Sequence, residues 1–237
     1  MTTRSEQASG RSDASFRLAG GHLRRMLVRG LAALSPAKRR AKAQWLARDG
    51  VEFLRAAGIG PGDTVVDFGC GAGAYSIPAA WLVGADGLVV AVDVRARARR
   101  SLLIGAARQG LRNIRTARHL AELACLLKDR HCKAVLLYDV LHFMDADTRR
   151  RLYDACGERL GPDGFLSVFP THLAGDDPAQ WFRNMTIEDV SRDIEGAGFR
   201  LSGRVETTLW HNPGCVRGTV LTFRKANGET AGPAATQ

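Results

Sequence analysis

The chemistry this chain can offer is concentrated in one run, Val65-Val66-Asp67-Phe68-Gly69-Cys70-Gly71-Ala72-Gly73. An apolar stretch ends on a carboxylate and passes into a loop with glycine at every second position. A strand, a glycine turn and a helix start put bare backbone where a ligand can press against it. Side chains at Gly69, Gly71 and Gly73 would occupy the ligand's space or forbid the φ angles of the turn. Asp67 is placed to orient the loop or to meet a ligand's ammonium through water. Cys70 fits as a small spacer, since no neighbour in sequence activates its thiol as a nucleophile. The plain structural alternative is a tight β–α turn of the kind any α/β protein uses.

A second carboxylate follows at the spacing an adenosine requires. Leu88-Val89-Val90-Ala91-Val92-Asp93, with Val94 after it, ends twenty residues beyond Gly73. A carboxylate there can accept both ribose hydroxyls, or it can simply cap the next helix. Glycine loop and acid in one β–α–β unit imply an adenosine-bearing ligand. The spacing is G-x-G-x-G, whereas the nicotinamide-dinucleotide fingerprint asks for G-x-G-x-x-G, which argues against an NAD-dependent oxidoreductase.

Two histidines, His142 and His172, stand just beyond the fourth and fifth expected strands, where open α/β sheets bind ligands. Either imidazole can deprotonate a hydroxyl or an amine, bind a substrate, or simply cap a helix or hydrogen-bond a loop. Trp181, Phe182 and Met185 form an apolar group after Asp176-Asp177-Pro178, suited to a lid over a substrate or to helix packing.

The elements that position these residues alternate. Ser35-Pro36 is an N-cap and N1 pair for a helix running to about Ala57, with Trp45, Phe53 and Leu54 packing it on the sheet. Strands are expected at 64–68, 88–93, 113–117, 133–139 and 165–170, with helices at 74–83, 95–109, 119–128, 145–160 and 186–197. Gly161-Pro162-Asp163-Gly164 reads as a turn. Runs 199–210 and 215–225, joined by Asn212-Pro213-Gly214, are too closely connected for a crossover and are expected to pair antiparallel. The alternation predicts an α/β fold with a mostly parallel sheet and helices on both faces. The expected divisions are a disordered basic tail (1–15), a helical extension (16–57), the catalytic domain (58–226) and a flexible tail (227–237).

With 237 residues and 45% hydrophobic content, one full core can form. No apolar run is long enough to span a membrane, and the polar N-terminus predicts no secretory signal. Five scattered cysteines fit reduced thiols, predicting a cytoplasmic protein with neither disulfide frame nor metal site. The net charge of +10 suggests nucleic acid, yet residues 1–50 hold eleven basic against three acidic residues and so carry +8 of it. A basic arm is thus present without a basic catalytic surface, and nucleic acid is not the expected partner. The apolar spacing of residues 16–34, laced with arginines, suits closing the pocket, an anionic partner or a homodimer through the N-terminal helices; a solvated basic face is the plainer alternative.

Five ordered motifs resemble those of class I S-adenosylmethionine (SAM)-dependent methyltransferases. They are the run 60–73, Val90-Ala91-Val92-Asp93, the run Ala134 to His142, Leu160-Gly161-Pro162-Asp163-Gly164-Phe165, and Met185 to Val190 followed by Gly196-Ala197-Gly198-Phe199. The resemblance spans roughly residues 45 to 225. It implies a Rossmann-like seven-stranded sheet of order 3-2-1-4-5-7-6 with strand seven antiparallel. It implies SAM held by Asp67, Gly69, Cys70, Gly71, Gly73, Asp93, Val94, Tyr138 and Asp139, the last two mostly through backbone. His142 is then the candidate catalytic base, and His172 and Trp181 the candidate contacts to a small-molecule acceptor. Many family members carry Gly-Asp after strand three to meet the adenine amine; here the stretch is Arg118-His119-Leu120, without an acid. The chain also lacks the Asn/Asp-Pro-Pro-Tyr/Phe signature of base amino methylation after strand four. Two alternatives are a nucleic-acid methyltransferase using the basic arm and a SAM-binding protein without transfer activity.

Overall fold

The computed structural model describes residues 35–226. The sequence expectations for 1–34 and 227–237 lie outside the described residues. Ser35 caps helix α1 (Pro36–Gln44) by accepting the Lys38 N–H on its hydroxyl, with Pro36 in the first turn. A π-helical turn (Trp45–Asp49) interrupts the helix before it resumes as α2 (Gly50–Ala56). The alternation then runs β1 (Thr64–Phe68), α3 (Ser76–Val83), β2 (Leu88–Val92), α4 (Ala96–Arg108), β3 (Ile114–Ala117), α5 (Leu123–Leu127), β4 (Cys132–Tyr138), α6 (Ala146–Arg159), β5 (Leu160–Phe169), α7 (Ile187–Glu195), β6 (Phe199–His211) and β7 (Gly214–Lys225).

The sheet order is β3-β2-β1-β4-β5-β7-β6. Strands β1 to β5 pair in parallel, and β7 lies antiparallel to both β5 and β6. Two antiparallel steps bring β6 back to the direction of β1 to β5. Its C-terminal end therefore lies on the same sheet edge as theirs.

Side chains alternate across each strand and feed two cores. Val66, Val90, Val135, Leu137, Leu166 and Val168 meet α5, α6 and α7 on one face. Val65, Val89, Ala91, Leu136 and Phe165 meet α2, α3 and α4 on the other. Val65, Val66, Val89 and Val90 are at most 1% exposed. Burying each contributes roughly 1.5–3 kcal/mol, so these central strands, more than surface ion pairs, hold the sheet that carries the loops.

Two local expectations are corrected. The stretch 119–128 is not one helix. A 3₁₀ turn (Leu120–Glu122) precedes the short α5, because Glu122 bends back and its carboxylate accepts the backbone N–H groups of both Arg118 and His119. The turn at Gly161–Gly164 lies inside β5 and does not precede it. Cys132 pairs with Leu160 and Ala134 with Phe165, so extra residues bulge from β5 without ending it. Gly164 permits the bulge: a Cβ there would stand 2.8 Å from the Cys132 carbonyl oxygen.

Asp67 ends β1 almost entirely buried, and its Oδ2 accepts a 2.5 Å hydrogen bond from the Ser76 hydroxyl at the start of α3. Burial, which the Ser76 bond only partly offsets, raises its carboxyl from 3.8 to about 6, with the charge of Asp93 adding to the rise. The native state thus holds a proton that the unfolded chain has released, and stability falls as pH rises from near 4 through about 6. The shift corresponds to about 3 kcal/mol. Asp67→Asn should therefore gain stability relative to the parent by up to that amount between pH 4 and pH 7. Denaturant melts at both pH values measure this, and parallel pH curves for the two proteins would count against it.

Candidate active site

The glycine loop sits at the C-terminal edge of the sheet, between β1 and α3. Gly69, Gly71 and Gly73 all have positive φ, at 82°, 54° and 86°. Their reasons for being glycine differ. A Cβ at Gly69 would approach Val140 Cγ2 to 2.6 Å, and one at Gly73 would drive into Leu102, which is fully buried. At Gly71 a Cβ would meet nothing nearer than the Gly69 carbonyl oxygen, 4.0 Å away. Two of the three glycines thus let the loop close against the protein's own side chains. Gly71 alone turns its bare face to open space.

That open face lies beside the second carboxylate. Asp93 Oδ2 accepts the Gly71 N–H at 3.0 Å, tying the loop to the end of β2. Both carboxylate oxygens also accept from the Arg95 guanidinium, at 3.0 and 3.1 Å, and Oδ1 accepts the Arg95 N–H. The Arg95 side chain is 46% exposed. The pair is bidentate and Asp93 is 3% exposed, so a ligand hydroxyl reaches this carboxylate when the half-exposed Arg95 side chain swings aside. Val94 is half-buried in the same turn.

Cys70 is buried in the loop, its backbone N–H bonded to the Val92 carbonyl. Burial, with Asp67 and Asp93 nearby, pushes its thiol far up, so it stays protonated and inert. The N-terminal helices brace this loop: Trp45 donates from its indole to the Ala74 carbonyl at 2.8 Å, and Tyr75 donates to the Trp210 carbonyl at 2.9 Å. Tyr138 is buried against Tyr75, ring centroids 4.5 Å apart, with its hydroxyl 2.6 Å from Ser167 Oγ.

A polar cluster occupies the same edge, at the ends of β4, β5 and β6. Asp139 and His172 both adopt left-handed backbone, φ 54° and 59°. Such conformations in non-glycine residues persist where the surroundings hold them, often at functional sites. Asp139 Oδ1 accepts from the Thr171 hydroxyl at 2.6 Å, and Oδ2 lies 3.2 Å from His211 Nε2. Since that hydroxyl's one proton goes to the carboxylate, Thr171 Oγ1 accepts from His142 Nδ1, 3.2 Å away. His142 is 1% exposed; its ring centroid lies 4.4 Å from that of His172. His172 in turn has its Nδ1 2.8 Å from the Asp177 carbonyl oxygen. Burial would push the Asp139 carboxyl up, but the hydrogen bond from His211 and the nearby imidazoles outweigh it and hold the carboxyl below its ordinary value. The same contact raises His211 above its ordinary value.

The structure therefore brings Asp139, His142 and His172 together and leaves Trp181 apart. Trp181 is 38% exposed, whereas its neighbour Phe182 is fully buried, 6.4 Å from the His142 ring. Asp139, placed by resemblance beside the cofactor through backbone, directs its carboxylate into the histidine cluster. Sequence reasoning missed His211, Thr171 and Arg95. The signal for His211 was present, because the expected strand order already placed the end of strand six on this edge.

Residues 65–164 match the family model described as a methyltransferase domain. No curated protein matches the chain. Among solved structures, the chain is similar to a SAM-dependent methyltransferase from Aquifex aeolicus, at 19% identity and TM-score 0.57, over 80% of this chain and 99% of that one. It is similar to magnesium protoporphyrin IX methyltransferase from Synechocystis PCC 6803 with bound SAH, at 20% identity and TM-score 0.58, over 86% and 93%. A protein from Clostridium thermocellum provisionally named an rRNA-methylase matches at 20% identity and TM-score 0.56, over 75% and 93%. At these identities the likenesses speak to fold. The match over residues 65–164 and the shared fold are consistent with a class I methyltransferase domain that uses SAM.

The residues present fit that cofactor, with open space at Gly71 and a carboxylate at the end of β2. Asp93→Ala should weaken SAM binding by about 1–3 kcal/mol, or roughly 5–150-fold in Kd, whereas Arg95→Ala should not weaken it. Calorimetry reads both. An unchanged Kd for the first variant would remove the ribose role.

Proposed function

We propose that this chain transfers the methyl group of SAM to a small-molecule acceptor held over the ends of β4 and β5. The observation that carries this reading is the Asp139–Thr171–His142 chain, beside His172, on the same edge as the glycine loop. The cofactor supplies an activated methyl group. The chain's own residues must align the acceptor, exclude water and receive a proton.

His142 is the residue we assign to the proton. With Nδ1 donating to Thr171, Nε2 is the basic nitrogen of the neutral ring. His142 Nε2 would receive the proton that an acceptor oxygen or nitrogen gives up on methylation. His172 contacts the acceptor, and Phe182 gives the site an apolar wall. Trp181 joins the acceptor contacts only by moving in from the surface. Gly71, Asp93 and Val94 hold the cofactor, with Gly69, Gly73, Asp67 and Cys70 fixing the loop.

The magnesium protoporphyrin methyltransferase among the structural neighbours acts on a small molecule, which supports this acceptor class. The basic N-terminal arm and the neighbour named an rRNA-methylase favour nucleic acid as a second reading. Labelled SAM supplied with separate metabolite and RNA pools distinguishes them. The first reading expects label in metabolites at a rate nearly independent of salt. Label in RNA, with binding that weakens steeply as salt rises, would establish the second. No helix among the described residues is long and apolar enough to cross a membrane. We assign a cytoplasmic site of action on the reduced-thiol pattern, and a homodimer through the N-terminal helices as the oligomeric state.

A further inference from the structure

We propose that the cluster of Asp139, His142 and His172 is a binding site for a divalent transition-metal ion beside the methyl-transfer centre. The sequence predicts no metal site, because the three residues come from the ends of two strands and have no ligand spacing along the chain. In space, one ligand atom from each lies within 4.8 Å of the others. His142 Nδ1 is 3.7 Å and His172 Nε2 is 3.9 Å from Asp139 Oδ1; to bind an ion there, His142 gives up its Nδ1 hydrogen bond to Thr171 and takes the tautomer protonated at Nε2. Metal bonds of about 2.1 Å hold neighbouring donors roughly 3.0–3.4 Å apart. These two separations exceed that range by a few tenths of an ångström.

Two further observations point to a cation. The first is orientation. His172 Nδ1 donates to the Asp177 carbonyl, so in the neutral ring Nε2 is the lone-pair nitrogen facing Asp139 Oδ1. An ion placed there would be held from both sides. The second is the outer layer. Metal-bound histidines nearly always donate their other ring nitrogen to a carbonyl or carboxylate, and metal-bound carboxylates are themselves hydrogen-bonded. Asp177 serves His172 in this way, while Thr171 and His211 serve Asp139. Two imidazoles and one carboxylate suit zinc, iron, cobalt or nickel better than magnesium or calcium.

Three protein ligands leave coordination positions open. An acceptor hydroxyl bound at one of them is acidified by the ion and releases its proton to water. The resulting oxygen attacks the methyl carbon, and sulfur keeps the C–S pair. This rests on the acceptor site argued above. In the loaded enzyme His142 serves as ligand, and its role as base belongs to the metal-free form.

The test is metal uptake by the full chain after chelator treatment, read without reference to activity. Titration with Co²⁺, followed by visible absorption and calorimetry, should give one ion per chain and a ligand-field spectrum of nitrogen and oxygen donors. His172→Ala and His142→Ala should each weaken binding at least tenfold, and His119→Ala, outside the cluster, should not. Where an alanine variant fails to fold, His172→Gln replaces it. Absence of uptake, or uptake unchanged in the His142→Ala/His172→Ala double variant, would overturn the proposal and leave a proton as the cation between the acceptors. SAM calorimetry on the same samples separates the two questions, because SAM binding without metal uptake refutes the ion alone.

Discussion

Gly71→Asn should abolish measurable SAM binding while the fold survives, and Gly73→Ala should do the opposite. Asparagine tolerates the left-handed φ of 54° at position 71 better than other side chains, so little strain is added. Its side chain projects into the one face of the loop that no protein atom fills. A Kd at least 100-fold higher is expected, with a melting temperature within a few degrees of the parent. At position 73 the added methyl group enters space held by Leu102, which is fully buried and has nowhere to move. Overpacking at about 1–3 kcal/mol and left-handed strain at about 1–2 kcal/mol combine there, so the stability of Gly73→Ala should fall by roughly 2–5 kcal/mol. Calorimetry and thermal melts on both variants decide the matter. Tight SAM binding by Gly71→Asn would mean that the cofactor does not lie against this loop.

His142→Ala should lower turnover by roughly 10²–10⁴-fold, the usual range for a positioned acid–base group, with the Kd for SAM within about twofold of the parent. The separation is expected because His142 packs on Thr171, His172 and Phe143 at the ends of β4 and β5. The variant leaves a cavity where a 1%-exposed ring stood, so its melting temperature must be recorded beside its rate. His142→Gln fills that cavity and can still donate to Thr171, yet it accepts no proton. Its turnover should be as low as that of the alanine variant. Full activity in the glutamine variant would reduce His142 to packing and positioning.

The glycine loop and the carboxylate at the end of β2 were legible because their parts are consecutive. The strand, the three glycines and Asp93 occupy one β–α–β unit, and local chemistry dictates both spacing and conformation. Strand order came from the resemblance to class I methyltransferases; the residues themselves gave a mostly parallel sheet, with runs buried on both faces, such as Val65-Val66 and Val89-Val90, at its middle. The limits of local reading appear at Gly161–Gly164, where turn residues sit inside a strand as a bulge. They appear again at Glu122, whose carboxylate reaches back to close the loop that the missing adenine-contacting acid leaves bare.

The acceptor half was not legible in the same way. Asp139, His142, His172 and His211 are spread over 73 positions of sequence, and no spacing rule connects them. Taken one at a time, each histidine had a bland reading as cap or loop contact.

By itself, then, the sequence determined the alternating α/β elements, the glycine loop and the carboxylate after it, since each follows from periodicity or from neighbours within a few residues, while its resemblance to a family pointed to the class of reaction. Only the tertiary structure decided which glycine faces open space, that Arg95 rests on the Asp93 carboxylate, and that three histidines share one aspartate. Those facts depend on where strand ends meet across the sheet, and that is fixed when the two cores bury their apolar faces together.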